Sequence, residues 1–590
     1  MSSEPLSLGD FPSEILDRIL DHVGYKGAIN LSRTSKGFYN TLYNEETGYW
    51  KREAQRVFKT PHVDSLINKV PWRYLFQGMA KAHVYTWGQG ADGRLGHDRS
   101  PPDNYRRFPY SVAVPFEILG LRDKFVVDIV GGGWSTSFLT SDGHVYIAGR
   151  LSDRLGGGEE TPTAEIKFPE PISQLSSGRD HLIALSNKGR VYTCIDKSQG
   201  AQRVKFSAMA SDSDSGCLTP DKIGGVAEDI GWVKKVVGGW DRCAALISGI
   251  GIVVWRPTDS REHIPGPYTP SVRVIRGTNY LDKPPKGISA EVLAGVQKHK
   301  SIGQVVDFTL GEGYLVFLTI TGKVFAVSGF DQEFDQAAPV ELVHFSSPEG
   351  QPPVNRISGN FRRFAVLNKE GTVRVGDVDI VRNSAEGKTE GVKPIRRPDF
   401  ASYKVVDIAF GDHHGLALTD EGEILSWGTE SRMCGCLGLG DQLPGMGMVD
   451  GRFANLEVSK PKVVSFRPPG EDAGSSEGED KTKYYAFNIA ASGWHSGALV
   501  LGLDGGHAQE DDGVPESSML EVNDDPTQIP DPPDLGFDPE ALGSGGRERG
   551  HRGIRGVTST RFSARGGMSR GGFVRSGLQG LSLFSPGKPT

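Results

Sequence analysis

Long apolar runs are missing from this chain. No stretch approaches the roughly 18 consecutive apolar residues that a bilayer-crossing helix needs. The opening Met1-Ser2-Ser3-Glu4 also lacks the basic and apolar regions of a secretory signal. Neither membrane spanning nor export is expected; the expected location is cytoplasm, nucleus or both. Cysteine is scarce as well. Cys194, Cys217, Cys243, Cys434 and Cys436 are too few and too irregularly spaced for a disulfide scaffold or a zinc module, which fits a reducing compartment. Cys434-Gly435-Cys436 has no nearby Cys or His in sequence, so a loop without metal is expected there. There is no basic excess: the formal net charge is −7, and no overall field draws the chain to nucleic acid or membrane.

What the chain has in quantity is glycine, 78 residues against 8 methionines, and that balance favours many turns and short strands over long helices. The exception lies near the start. Phe11-Pro12-Ser13-Glu14 opens a helix, with Pro12 suited to its first turn, Asp10 near enough to cap it and Glu14 in the favourable N-terminal zone. Ile15, Leu16, Ile19, Leu20 and Val23 recur at helical spacing and form one apolar face; Gly24 and Gly27 are expected to end it. A second helical stretch carries Ile29, Leu31, Phe38 and Leu42, and a third runs from Tyr49-Trp50 to Phe58. Three short helices make a marginal core, and such modules usually gain stability by laying apolar surface on a partner.

This order resembles the F-box family. The family's apolar-Pro-x-Glu opening matches Phe11, Pro12 and Glu14, followed by Ile15, Leu16 and Ile19; its later positions match Leu31, Ser35-Lys36, Phe38 and Trp50. Phe11, Ser35 and Phe38 depart from the commonest family residues. The resemblance implies docking on a small Skp-type adaptor that hangs from a cullin, through Phe11, Pro12, Ile15, Leu16, Ile19 and Leu31. The F-box is expected over 5–58 and a helical linker over 59–81, with a helix starting at Pro71.

Beyond it one phrase recurs: a glycine, five variable residues, two apolar residues, a turn and a second strand. Its anchors are Gly132, Gly178, Gly239, Gly311, Gly359, Gly411 and Gly493. Turn dipeptides such as Asp142-Gly143, Lys188-Gly189 and Glu421-Gly422 mark hairpins. The strand Val84-Tyr85-Thr86-Trp87-Gly88 has no first half before it, and Gly493 to Leu501 has no second half after it. The two orphans together complete one blade, which closes a ring and removes the open sheet edge. Trp87-Gly88 with Gly93-Arg94-Leu95-Gly96, and Trp427-Gly428 with Gly435-Cys436-Leu437-Gly438, resemble the regulator-of-chromosome-condensation type of propeller. The expected fold class is mainly β: a seven-bladed propeller over 82–502, preceded by the small all-α F-box module and followed by a disordered tail. Gly470 to Asp480 is expected to be a disordered loop.

The tail, 503–590, is acidic from Glu510 to Asp538 and Arg/Gly-rich from Arg547 to Arg575, a composition that can contact RNA weakly. Propellers bind through loops at one end. The residues after the anchors vary between blades, and Trp134, Arg179, Trp240, Arg362, His413 and Trp494 are the candidate target-binding set, since aromatics and Arg suit interface hot spots. No phosphate loop, nucleophile elbow or zinc-protease motif stands out, and no metal, cofactor or catalytic residue is expected. The resemblances together imply the substrate-recognition subunit of a Skp–cullin–F-box (SCF) ubiquitin ligase that is itself not an enzyme. It would hold a protein target for ubiquitination and proteasomal degradation. The alternative is a guanine-nucleotide exchange factor for a small GTPase, working through the propeller.

Overall fold

The structure, a computed structural model, describes residues 11–502 except 45–46, 59–70, 107–109, 152–161, 198, 207–232, 249, 258–265, 271, 280–300, 330–337, 349, 389–390, 396–397, 431–432, 444–447, 450–451, 454–455 and 467–483. The acidic and Arg/Gly-rich tail, Cys217 and Gly470 to Asp480 lie outside the described residues.

Helix α1 spans Ser13–Ser32 and does not stop at Gly24 as the sequence reading expects; it kinks there and continues. Gly24 takes φ 67°, a left-handed conformation that glycine adopts without a Cβ clash. The break frees the N–H of Tyr25, and the buried carboxylate of Glu53 accepts it at 2.9 Å. Glu53 in turn is held by Arg56. The cap of α1 is Pro12, without a side-chain hydrogen bond, and Asp10 lies outside the described residues. The expected second helix is divided. Ile29 and Leu31 belong to α1, whereas Phe38 and Leu42 lie on α2, Lys36–Tyr43, which begins where Ser35 accepts the Gly37 N–H at 3.1 Å. Helix α3 is Tyr49–Phe58 and α4 is Trp72–Ala80.

The rest is a seven-bladed propeller. Blade 1 takes two strands from each end of the ring, in the order Ser111–Glu117, His83–Gln89, His495–Gly502 and Tyr484–Ser492, so the two orphan halves do join. The first strands of blades 2 to 7 are Val126–Gly131, Ile172–Ser177, Val233–Gly238, Val305–Leu310, Val354–Asn360 and Val405–Phe410. Among the described residues blade 6 has three strands and then helix α5, Val378–Ala385, which the repeat pattern does not disclose. Asp377 caps it by accepting the Asp379 and Ile380 N–H groups, and Val378, Ile380 and Val381 fill the core between blades 5 and 6, while Ile395 pairs with Val375 on the outer strand.

In five blades the turn after the first strand starts at the expected glycine, whose N–H donates to the residue three further on, as Gly132 does to Ser135 and Gly411 to His414. Blades 6 and 1 differ by one residue. Asn360 pairs with Arg363 and Ser492 with His495, so Asn360 and Ser492 stand at the turn rather than Gly359 and Gly493. A polar side chain is useful there: the Asn360 amide donates to Phe410 O at 3.0 Å and to Ser492 Oγ at 3.2 Å, bridging blade 6 to blades 7 and 1.

The helical module and the ring share one hydrophobic core. Phe58 lies 5.3 Å from Phe125, 5.4 Å from Phe487 and 5.6 Å from Phe76 between ring centres, and Trp50 and Tyr25 also pack on Phe76. Helix α4 is therefore not a free spacer, since Trp72, Leu75, Phe76 and Met79 are buried. Phe125 stands just before the first strand of blade 2. Tyr25 OH meets Ser141 Oγ in the turn that follows the second strand of that blade, Ser135–Thr140. Both points mark the end of the ring where first strands begin, so the helices sit at that end.

Candidate functional site

The two surfaces singled out by sequence fall at opposite ends of the ring. At the helical end, α1 divides its apolar residues. Leu16 and Leu20 turn inward, 3 % and 0 % exposed, and join the shared core. Phe11, Ile15 and Val23 turn outward at 41 %, 42 % and 44 % exposure, a row at spacing four that Ile19 completes at half burial. Leu16 thus leaves the expected adaptor surface, because it lies about 100° around the helix from Ile15. Pro12 is exposed beside the row, and Leu31 is half-buried against the core. Arg52 on α3 fixes the bearing of α1, reaching Asp17 at 2.6 Å and Asp21 at 3.1 Å.

At the other end, the loops joining first and second strands gather. Gly133 N–H donates to Arg179 O, Glu312 N–H to Phe361 O and Asp412 N–H to Gly493 O, so neighbouring loops are stitched by backbone. A Cβ on Gly133 would lie 2.5 Å from Arg179 O, which is why no side chain fits between blades 2 and 3 there. The Arg179 guanidinium lies over Trp134 at 5.1 Å and over Trp240 at 4.5 Å, and Trp240 packs on Phe361 at 4.2 Å. Trp134, Arg179 and Trp240 therefore form one stack. Arg362 is next to it, exposed, 3.9 Å from both Glu312 and Asp379. His413 is exposed, while Trp494 packs partly buried against the core between blades 7 and 1. Of the neighbouring loop residues, His181, Tyr314, His414 and His495 are 0–1 % exposed and belong to the framework. Ser496 Oγ donates to Cys436 O at 2.9 Å, so His414 Nε2, 2.8 Å away, is the donor to Ser496. His495 Nε2 donates to Ser135 O at 3.1 Å. Burial drives the pKa of both rings down to about 3.

A belt of polar residues lines the channel between the two ends, and the sequence reading passes over it. Each first strand bulges immediately before Asp128, Gln174, Lys235, Asp307, Arg356, Asp407 or Asn488. Asn488 donates to Asp128 at 3.0 Å, Lys235 pairs with Asp307, and Arg356 reaches Asp407 at 2.6 Å. Gln174 spans to the next blade by accepting the Val236 N–H and donating to Val236 O. Burial pushes the Asp407 carboxyl above its ordinary pKa against the opposing charge of Arg356. The sequence carries a signal for them: all of these residues lie four positions before a turn residue.

Comparison with known families places names on both parts. The F-box domain family matches residues 8–47, and the regulator of chromosome condensation (RCC1) repeat matches 81–139 and 405–435. The chain joins an F-box to an RCC1-type propeller. F-box protein pof9 of Schizosaccharomyces pombe is 24 % identical over 493 residues, 83 % of this chain and 89 % of that protein. SCF-associated factor 1 of Saccharomyces cerevisiae is 23 % identical over 337 residues, 55 % of this chain and 42 % of that protein. Among solved structures, human WBSCR16 aligns with TM-score 0.45 at 18 % identity, covering 72 % of this chain and all of that one. The F-box match covers α1 and α2, with the outward row on α1, and the RCC1-type propeller presents the Trp134–Arg179–Trp240 stack at its far end.

Proposed function

We propose that this chain is the substrate-recognition subunit of an SCF ubiquitin ligase and performs no catalysis itself. The F-box docks on the Skp-type adaptor through Phe11, Pro12, Ile15 and Ile19, and the adaptor brings the cullin. The loop end of the propeller holds the target protein for ubiquitination and degradation. One observation carries the reading: α1 keeps an apolar row facing solvent while its inward row is sealed into the ring. An unpartnered apolar row on a module that already has a core is surface kept for another protein. The match to the F-box domain family and the similarity to SCF-associated factor 1 support the same reading.

The mechanism is proximity. First strands of 6 to 9 residues separate the helical end from the loop end, about 20–30 Å at ~3.3 Å per residue. The shared aromatic core makes that spacing rigid. A target held at the loops is thereby kept at a fixed offset from the adaptor, and its lysines meet the charged conjugating enzyme at raised effective concentration. A cytoplasmic or nuclear location belongs to the same proposal.

The test is co-purification with the Skp-type adaptor. Ile15→Asp is expected to abolish capture with the melting temperature unchanged, because Ile15 faces solvent. Full capture by a folded Ile15→Asp, Phe11→Asp double variant would refute the docking surface. Capture of a nucleotide-free small GTPase in place of adaptor and cullin would favour exchange activity.

A further inference from the structure

Arg179 differs from four other guanidinium groups of the loop end. Arg94 lies 3.1 Å and Arg150 2.8 Å from Asp92, Arg242 lies 3.8 Å from Asp241, and Arg362 stands between Glu312 and Asp379. Arg179 lies over the rings of both Trp134 and Trp240, is exposed and, among the described residues, makes no hydrogen bond or ion pair from its side chain. With no acceptor from the described residues, the N–H donors of this exposed side chain are open to a ligand.

The stack is built at a cost. Phe361, which closes it against Trp240, has φ 50°, a left-handed conformation that disfavours a bulky side chain, and the Asn360 side chain accepts its N–H at 2.8 Å. Rings from blades 2, 4 and 6 thus converge on and around one cation from blade 3. A guanidinium ordered in advance loses less freedom when a ligand arrives, and its fork geometry matches a planar two-oxygen acceptor.

The geometry points to Arg179 as a binding site for a carboxylate, carried by an acidic segment of the protein held at the loop end, with Trp134, Trp240 and Phe361 as its apolar surround. This rests on the reading of the loop end as the target-binding surface. Charge selects carboxylate over phosphate. Asp180 and Asp241 are half-exposed nearby, 49 % and 47 % at the side chain, and Asp412 lies within the field of Arg179. A phosphate of nearly two negative charges meets one unpaired cation among three carboxylates, whereas a single carboxylate is matched by one fork.

The probe is a short fluorescein-labelled peptide alternating glutamate and leucine, titrated by anisotropy against the full chain. Binding is expected to weaken roughly 10- to 100-fold in Arg179→Ala, the loss of a charge-assisted bidentate contact. Arg179→Lys should recover little, since an ammonium has no fork. Arg382→Ala, on α5, should bind as the parent does. Peptides with glutamine or lysine in place of glutamate should fail to compete. Stronger Arg179-dependent binding of a phosphoserine peptide would overturn the carboxylate assignment, and equal binding by Arg179→Ala, or none by the parent, would overturn the site. Proteins captured by the full chain separate the two readings in that event. Capture lost in a folded Trp240→Ala but kept in Arg179→Ala sinks the anion site alone. Capture unchanged by either sinks the receptor surface as well.

Discussion

Ile15 and Leu16 are neighbours in sequence and alike in composition, yet they carry separable roles. Leu16 is 3 % exposed within a core that reaches Phe487, and Ile15 is 42 % exposed. Leu16→Ala is expected to lower unfolding free energy by about 2–5 kcal/mol, the usual loss for a buried leucine, while Ile15→Ala should change it by no more than about 0.5 kcal/mol. Chemical denaturation of the two variants measures this directly. The same split corrects any adaptor-binding test that charges both positions at once, because an aspartate at Leu16 would unfold the module and mimic lost docking.

At the scale of elements, α3 is the coupling piece. Phe58 is 1 % exposed and touches α4, the approach to blade 2 and the first strand of blade 1 through three aromatic rings. Phe58→Ala is expected to cost about 3–5 kcal/mol and to loosen the F-box from the ring. Hydrogen exchange should then rise in α1 to α3 before it rises in the blades. Retained protection of α1 in a folded Phe58→Ala would show that the α3 seam is not what holds the F-box to the propeller. Repeat pattern alone discloses the two strands on either side of each hairpin turn, since that turn chemistry is local, but not the first and outer strands. It misses α5, because eight residues with Asp377 as a cap and three apolar positions make a helix too short to stand out from a blade edge. Its glycine anchors also miss two turn residues by one position, Gly359 falling before Asn360 and Gly493 after Ser492, because there the turn residue is polar and acts by hydrogen bonding.

At the scale of the molecule, closure buries histidines where blades 7 and 1 meet. His414 and His495 stay neutral in the folded state down to about pH 3, and His97, also held down by burial, to about 4. In the unfolded chain they titrate near 6.5. Between these values the unfolded state binds more protons, so this contribution is complete above about pH 6.5 and is lost as pH falls toward the folded values. Each histidine adds a slope of up to about 1.4 kcal/mol per pH unit in that window. The urea midpoint is therefore expected to fall from about pH 6.5 to 5, with these histidines contributing nothing further above about pH 7.5. His495→Asn should shallow the slope, and an unchanged slope in a folded variant would show that His495 is not held neutral.

The sequence by itself determined the helical start, the repeated strand-turn-strand phrase and the offset that makes the two ends share a blade, because each is written in local periodicity and turn chemistry. Only the tertiary structure decided which side of α1 faces solvent, which loop residues meet, and that a cation from blade 3 lies over rings of blades 2 and 4. Those facts depend on how distant segments are brought round a ring. Spacing along a chain says which residues share a face of one element, but not which neighbour, if any, covers that face.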